Sequence, residues 1–302
     1  MKTTRNGKRR MKKTWGDRVF DLANAVIMVF VCVVIAYPLY YVLIASFTDP
    51  TIVNSGKVLL YPEKIFMGGY QKIFEYRPMW TGYANTILYT ASGTLTALIA
   101  TIPCAFALSR KELLGRKIWN FLFTFTMFFG GGIIPLYLII NAVGIYDTIW
   151  AMVLPTAVSV YNLIVCRSFF ESNIPDELYD ASKIDGSNDF DFFFRIVLPL
   201  SSTIIAVMLL FYATAIWNSF MNALMFMGTQ DKMPLQVILR NLVLSNQTTA
   251  LTSSGTEVVQ RMKMAEQLKY AIIVVSALPL LVVYPFVQKY FAKGVLMGAV
   301  KG

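Results

Sequence analysis

The sequence predicts an all-α membrane protein with six transmembrane helices and one cytoplasmic helical loop, and three observations predict it. Apolar residues make up 56% of the 302-residue chain and mean hydropathy is +0.57, above the ~45–50% apolar share of soluble domains. Six apolar runs reach the ~18 residues that suffice to cross a bilayer. Between the fourth and fifth runs lies DELYDASKIDGSNDFDFFFRIVLP, from Asp176 to Pro199. It carries six of the chain's 17 acidic residues: Asp176, Glu177, Asp180, Asp185, Asp189 and Asp191.

In chain order, Met1 to Arg18 holds eight Lys or Arg ahead of the first run, Val19 to Phe47. That run is longer than the ~7–15 residue core of a cleaved signal and reads as an anchor with its N-terminus inside. Thr48 to Thr81 is a mixed loop, followed by span two from Tyr83 to Leu108, which Pro103 is expected to interrupt. Ser109 to Lys117 is short and basic. Span three, Ile118 to Ile140, contains Gly130, Gly131, Gly132 and Pro135, the composition of close helix packing or of a broken helix lining a cavity. Asn141 to Thr148 lacks Lys and Arg, and span four runs from Ile149 to Phe169. Span five is Ile196 to Phe220, Met221 to Leu268 reads as a long polar loop, and span six is Tyr270 to Val287. Six spans put both termini on one side. With that side inside, 18 Lys and Arg lie inside and 9 outside, as the positive-inside rule requires.

The net charge of +10 is therefore read as orientation in the membrane, not as affinity for nucleic acid. Cys32, Cys104 and Cys166 all lie in apolar runs and read as buried small hydrophobes, with no disulfide frame, no metal set and no catalytic group. Spans two, three, five and six carry no acid, base or His in their interiors, which removes the usual mark of an ion-coupled carrier. No Gly-x4-Gly-Lys-Ser/Thr loop occurs, so energy for uphill transport has to come from another chain.

Within the acidic stretch a helix is expected from Pro175, with acid in its first turn, stopping at Gly186. A second helix starts at Ser187 or Asn188, with Asp191 in a capping-box position, and runs unbroken into Ile196 to Phe211. Asp180-Ala181-Ser182, Gly186, Ile196, Leu198 and Pro199 resemble the E-A-A-x3-G-x9-I-x-L-P loop of ABC-importer permeases. Asp180 stands for the family's Glu and Ser182 for its second Ala. Phe128 to Tyr137 (FFGGGIIPLY), Trp217-Asn218 and Lys293 to Gly302 (KGVLMGAVKG) are similar to the oligosaccharide group of the maltose-type, carbohydrate branch.

The resemblance implies a basic cytoplasmic segment (1–18), a six-span permease domain (19–292) with its coupling loop at 171–195, and a cytoplasmic tail (293–302). It implies ATPase coupling through Glu177, Leu178, Asp180, Ala181, Ser182, Asp185 and Gly186, with Leu178, Ala181, Ser182 and Asp185 on one face. Tyr212, Thr214, Trp217 and Asn218 are candidates for the sugar path. Ser245 to Glu257 reads as a flexible linker by composition. By resemblance its Asn246, Gln247, Thr248 and Thr249 reach an extracytoplasmic solute-binding protein. The implied partners are a second, homologous permease in a heterodimer, two cytoplasmic ATPases, which hold ATP and Mg, the binding protein, an oligosaccharide and the bilayer of a bacterial cell. The chain itself takes no cofactor. An ion-coupled secondary carrier and a non-transporting membrane scaffold are the alternative readings.

Overall fold

The computed structural model describes residues 14–56, 60–252 and 256–299. The basic residues from Lys2 to Lys13 and the last three residues of the tail lie outside the described residues. The elements are α1 (Trp15–Phe47), α2 (Pro50–Asn54), α3 (Gly68–Glu75), α4 (Arg77–Ser109), α5 (Arg116–Phe128), α6 (Ile133–Ala142), α7 (Ile149–Val153) and α8 (Val160–Asn173). They continue with α9 (Asp176–Ile184), α10 (Asp189–Phe192), α11 (Leu198–Leu200), α12 (Ser202–Trp217), α13 (Phe220–Phe226), α14 (Leu235–Thr252) and α15 (Thr256–Ala299). No strand occurs among the described residues.

Three helices are long and apolar enough to cross a membrane unbroken: α1, α4 and Met262–Val282 within α15. Among the described residues, three further helix pairs are together long and apolar enough to cross but are bent at a short break: α5 with α6 at 112°, α7 with α8 at 50°, and the Asp189–Leu200 stretch with α12 at 79°. Each break has a chemical cause. Gly132 takes φ +84° between α5 and α6, a conformation that a side chain disfavours. Pro155 sits in a 3-10 turn, Leu154–Thr156, after α7. Pro199 has no amide and its ring crowds the carbonyl of Arg195. The chain accommodates it with a π-helical turn at Phe193–Val197 and then breaks at Ser201, so the unbroken entry into span five that the sequence suggested does not form. Pro103, in contrast, leaves α4 continuous. Thr101, Ile102, Ala105 and Phe106 around it are buried, and this packing holds the helix through the lost hydrogen bond.

The polar stretch expected from Met221 to Leu268 is mostly helical. Its apolar residues Leu235, Val237, Ile238, Leu239 and Leu242 are buried, and the packed turns carry α14 on through its polar end. Of the cysteines, Cys166 is buried, Cys104 is half-buried and Cys32 lies on the exposed face of α1, where the expectation of a buried thiol does not hold within this chain.

Buried residues form two main clusters. One joins α4, α8 and α12 to Phe192, Phe193 and Val197. The other joins α3, α4, α14 and α15 through Tyr70, Met79, Leu235, Leu239 and Leu268. The second is pinned by Gln267, which is fully buried. Its Oε1 accepts from the Gly69 amide at 2.7 Å, and its Nε2 donates to the carbonyls of Ser46, at 2.9 Å, and Phe66. One side chain thus ties the end of α1 and the start of α3 to α15. Gln267→Leu strands three backbone groups in a dry site. It is expected to cost about 2–5 kcal/mol, measured as a lower midpoint of thermal unfolding in detergent. An unchanged midpoint would show that these groups find other partners.

Candidate functional site

The acidic stretch folds as a helix, a turn and a helix, as its residues require. Pro175 precedes α9 in extended backbone, Asp176 and Glu177 occupy the first turn and Lys183 the last. Gly186 closes the helix at φ +81°. Its amide donates to Lys183 O at 3.1 Å and the Ser187 amide to Ser182 O at 2.9 Å, satisfying the last carbonyls. Asn188 caps α10 by accepting from the Asp191 amide at 2.8 Å.

This unit is fastened to α4 from two sides. Phe106 of α4 packs against the rings of Phe170, Phe192 and Phe193 at centroid distances of 5.8, 6.1 and 5.1 Å. Beyond the end of α4, the Arg110 guanidinium lies 4.0 Å above the Tyr179 ring of α9. The Arg110 side chain is only 11% exposed and also pairs with Glu112 at 3.3 Å and Asp176 at 3.6 Å. Tyr179 meets Phe192 edge-on at 5.2 Å and donates to Asp189 at 2.8 Å. Lys111 pairs with Asp176 at 2.7 Å and Lys183 with Asp189 at 2.8 Å. Aromatic pairs contribute ~0.5–1.5 kcal/mol each beyond burial, and a desolvated cation–π contact ~2 kcal/mol. The lysine pairs are solvated and add little, so the rings and the guanidinium hold the unit. Beside it, Glu171 bridges Arg116 and Arg167, Arg167 donates to Asn120, and Arg116 donates to Leu108 O at 3.0 Å, closing the last turn of α4.

The face of α9 that the sequence assigned outward is divided. Leu178 packs against the core and Ser182 is buried, donating to Tyr179 O at 2.7 Å. Glu177, Asp180, Ala181, Asp185 and Gly186 are exposed. Lys183 is held by Asp189, and Asp180 has no ion-pair partner among the described residues. Ile184, which sequence reasoning passed over, is 86% exposed, and Phe190 is 77% exposed. The signal was available: two bulky apolar residues flank an acidic glycine turn. The outward surface is thus an acidic face with apolar anchors at the turn.

The four sugar-path candidates are also divided. The α7–α8 break faces α12 across a cleft of about 470 Å³ lined by Thr156, Ser159, Asn162, Tyr212 and Thr214. The Tyr212 hydroxyl accepts from the Ser159 amide at 3.1 Å and pairs with Thr101 Oγ1 at 2.6 Å, so it braces the broken backbone. Thr214 donates to Leu210 O, and Asn218, exposed, donates to Thr214 O at 2.8 Å. Trp217 is buried on another side, in an apolar furrow of about 610 Å³ with Thr90, Thr94 and Pro279. It is not part of the polar cleft. Thr156, Ser159 and Asn162 are the polar residues that the sequence reading missed; their three- and three-residue spacing inside span four was the sign. Asn246, Gln247, Thr248 and Thr249 lie in the last turns of α14 rather than in a linker, which is helical to Thr252.

An all-α membrane protein with broken helices beside a cleft of mixed lining and an acidic helix-turn-helix fastened to its longest buried span is built as a permease subunit. The chain belongs to the binding-protein-dependent transport system inner membrane component family, which it matches over residues 77–297. It is 38% identical to the polygalacturonan/rhamnogalacturonan transport system permease protein YtcP of Bacillus subtilis, over 95% of this chain and 99% of that protein. The melibiose/raffinose/stachyose import permease protein MelC of Bacillus subtilis is 26% identical, over 80% of this chain and 84% of that one. Among solved structures it resembles a chain of a bacterial ABC transporter involved in the import of the acidic polysaccharide alginate. The TM-score is 0.79 at 32% identity, covering 93% of this chain and 99% of that one. The chain is an ABC-importer permease.

Two outcomes follow from the α9 geometry. A Cβ at Gly186 meets nothing within 4 Å, so Gly186→Ala carries only the backbone cost of positive φ, ~1–2 kcal/mol. Gly186→Pro cannot reach that φ and also loses the amide bond to Lys183 O. Limited proteolysis of α9–α10 should rank parent, Ala and Pro in order of rising cleavage; equal cleavage of all three contradicts the turn. The hydrogen bond from Lys111 lowers Asp176 below 3.8, and in return Asp176 raises Lys111 above 10.5. Lys183 likewise lowers Asp189 and is itself raised. A lowered carboxylate stabilises above 3.8 and is lost as pH falls through its folded value. A raised ammonium stabilises below 10.5 and is lost as pH rises through its own. Protease resistance of α9–α10 should therefore be flat between about pH 5 and pH 9, and a midpoint near neutrality contradicts this.

Proposed function

We propose that the chain is a pathway-forming subunit that imports oligosaccharides, with both termini cytoplasmic, working beside a second, homologous but distinct permease. The outward face of α9 docks in a cleft of a cytoplasmic ATPase, and one such ATPase serves each permease. ATP and Mg bind to those subunits and none to this chain. Closure of the ATPases on ATP pushes α9, and α4 and α12 move with it, opening the cavity outward to a loaded solute-binding protein. Hydrolysis returns it inward. The excess of Lys and Arg on the α9 side supports the orientation. The sugars for which the relatives are named support the substrate class, and the hydroxyls and amide of the cleft suit sugar hydroxyls.

The observation that carries the reading is α9 itself: an exposed face of Glu177, Asp180, Ala181 and Asp185 with Ile184 at its tip, on a helix whose other face is fixed to α4. An exposed isoleucine next to unpaired acid is the composition of an interface, with an apolar anchor inside a charged rim.

The test is reconstitution of the chain with a second permease, an ATPase and a binding protein in liposomes, with uptake of labelled oligosaccharides. ATP-dependent uptake is expected, and its absence with an assembled complex rejects the reading. Within that system, Asp180→Asn should weaken retention of the ATPase about tenfold, a charge-assisted hydrogen bond of ~1.5–3 kcal/mol, and flatten its dependence on salt. Identical salt curves for mutant and parent rule out the contact.

A further inference from the structure

A second polar cluster lies far from α9. Asp147, in the turn between α6 and α7, takes φ +57°, an uncommon conformation for a residue with a side chain, though Asp tolerates it better than most. Its carboxylate Oδ1 accepts from the amides of Gly228, at 2.9 Å, and Thr229, at 3.0 Å. Oδ2 accepts from Thr229 Oγ1 at 2.7 Å and from Lys232 Nζ at 2.8 Å. Lys232 also donates to the Asp147 carbonyl at 2.7 Å, and the Asp147 amide donates to Phe226 O at 3.0 Å.

The segment held in this way, residues 228–235, joins α13 to α14. Its other side is held by α4. Asn85 donates to Asp231 O at 2.7 Å, Tyr89 to Lys232 O at 2.8 Å, and the Leu235 amide to Thr86 Oγ1 at 2.8 Å. These α4 residues lie 21 to 25 positions before Arg110, about 32–38 Å along the helix at ~1.5 Å per residue, so the cluster belongs to the outer end of the chain. Segment 228–235 is the mount from which α14 rises, and α14 with the start of α15 forms the hairpin of the outer side.

We propose that Asp147 is a positioning residue: by clasping segment 228–235 against the α6–α7 turn it sets the direction of α14, and with it the affinity of the permease for a loaded solute-binding protein. This rests on the function proposed above. The chemistry fits a fixed mount. Two amides, a hydroxyl and an ammonium converge on one carboxylate, so a small rotation of the segment breaks several bonds together. Asp147 is pushed well below the usual carboxylate range by Lys232 and the Thr229 and Gly228 donors, and it stays charged in any medium a cell meets.

The experiment measures uptake in the reconstituted complex as a function of binding-protein concentration. Asp147→Ala is expected to raise the KM for the binding protein about fivefold or more, with the maximal rate changing less than about twofold. The milder Asp147→Asn keeps an oxygen for the two amides and should raise it about threefold. Asp147→Cys with Thr229→Cys puts thiols at two positions whose side chains now hydrogen-bond at 2.7 Å, with Cys32, Cys104 and Cys166 first replaced by Ala, and loss of free thiols on oxidation verifies that the disulfide has formed before the KM is read. Oxidation is expected to restore the parental KM and reduction to raise it again. A parental KM in both single variants overturns the proposal, as does a KM that oxidation leaves raised. Failure of the parental complex to transport any oligosaccharide would instead reject the proposed function.

Discussion

The contact on which the rest depends is the joint between α4 and the α9–α10 unit: Phe106 among three phenylalanines and Arg110 over Tyr179. Without it α9 is a nine-residue helix on a tether, too short to hold its shape in water. With it, α9 becomes an extension of the longest buried span. The joint is made of rings and a planar cation, and this suits a force-bearing contact. Ring packing has well-defined geometry and little slack, whereas a pair of exposed lysine and aspartate side chains can stretch and re-form. The lysine pairs at its edge guide where the helix sits, and the buried rings resist its displacement.

The other half of the design is irregular backbone at membrane depth. Three apolar helix pairs are broken, and broken backbone in lipid is tolerated only where protein or a cavity supplies the missing partners. At the α7–α8 break the Tyr212 hydroxyl supplies one to the Ser159 amide, and the result is a cleft beside α12 that carries several polar side chains among apolar ones. The same break that needs bracing thus places Thr156, Ser159 and Asn162 on the cleft, the groups proposed above to meet sugar hydroxyls. Breaks also turn α12 away from the axis of the residues before it by 79°. In the proposed mechanism, a push on Phe192 and Phe193 would therefore reach α12 at an angle rather than along its length.

Local chemistry was legible in the sequence and tertiary override was not. Pro175, Gly186 and Asn188 act through their own backbone preferences; Gly186 and Asn188 stand where the sequence put them, and Pro175 lies one residue outside the helix as its extended cap. Span positions followed from hydropathy, but two breaks did not: Pro199 and Pro155 break the chain while Pro103 does not, and the difference lies in what surrounds each one. The apolar residues of LQVILRNLVL lie in the stretch that reads as a long polar loop, yet only the facing surfaces of α4 and α15 show that it is a packed helix. On α9, helical spacing correctly grouped Leu178 with Ser182, but spacing cannot say which face turns inward. Ile184, at the turn, was hidden by its acidic neighbours.

The central claim is that motion of α9 reaches the pathway through the Arg110–Tyr179–Phe192 joint. It is tested most directly by counting oligosaccharides imported per ATP hydrolysed in a Tyr179→Leu complex. That substitution keeps α9 and its outward face but removes the cation–π contact, the edge on Phe192 and the hydrogen bond to Asp189. The account predicts an assembled complex that still hydrolyses ATP while the ratio falls about fivefold or more. A parental ratio in a fully assembled Tyr179→Leu complex would contradict it.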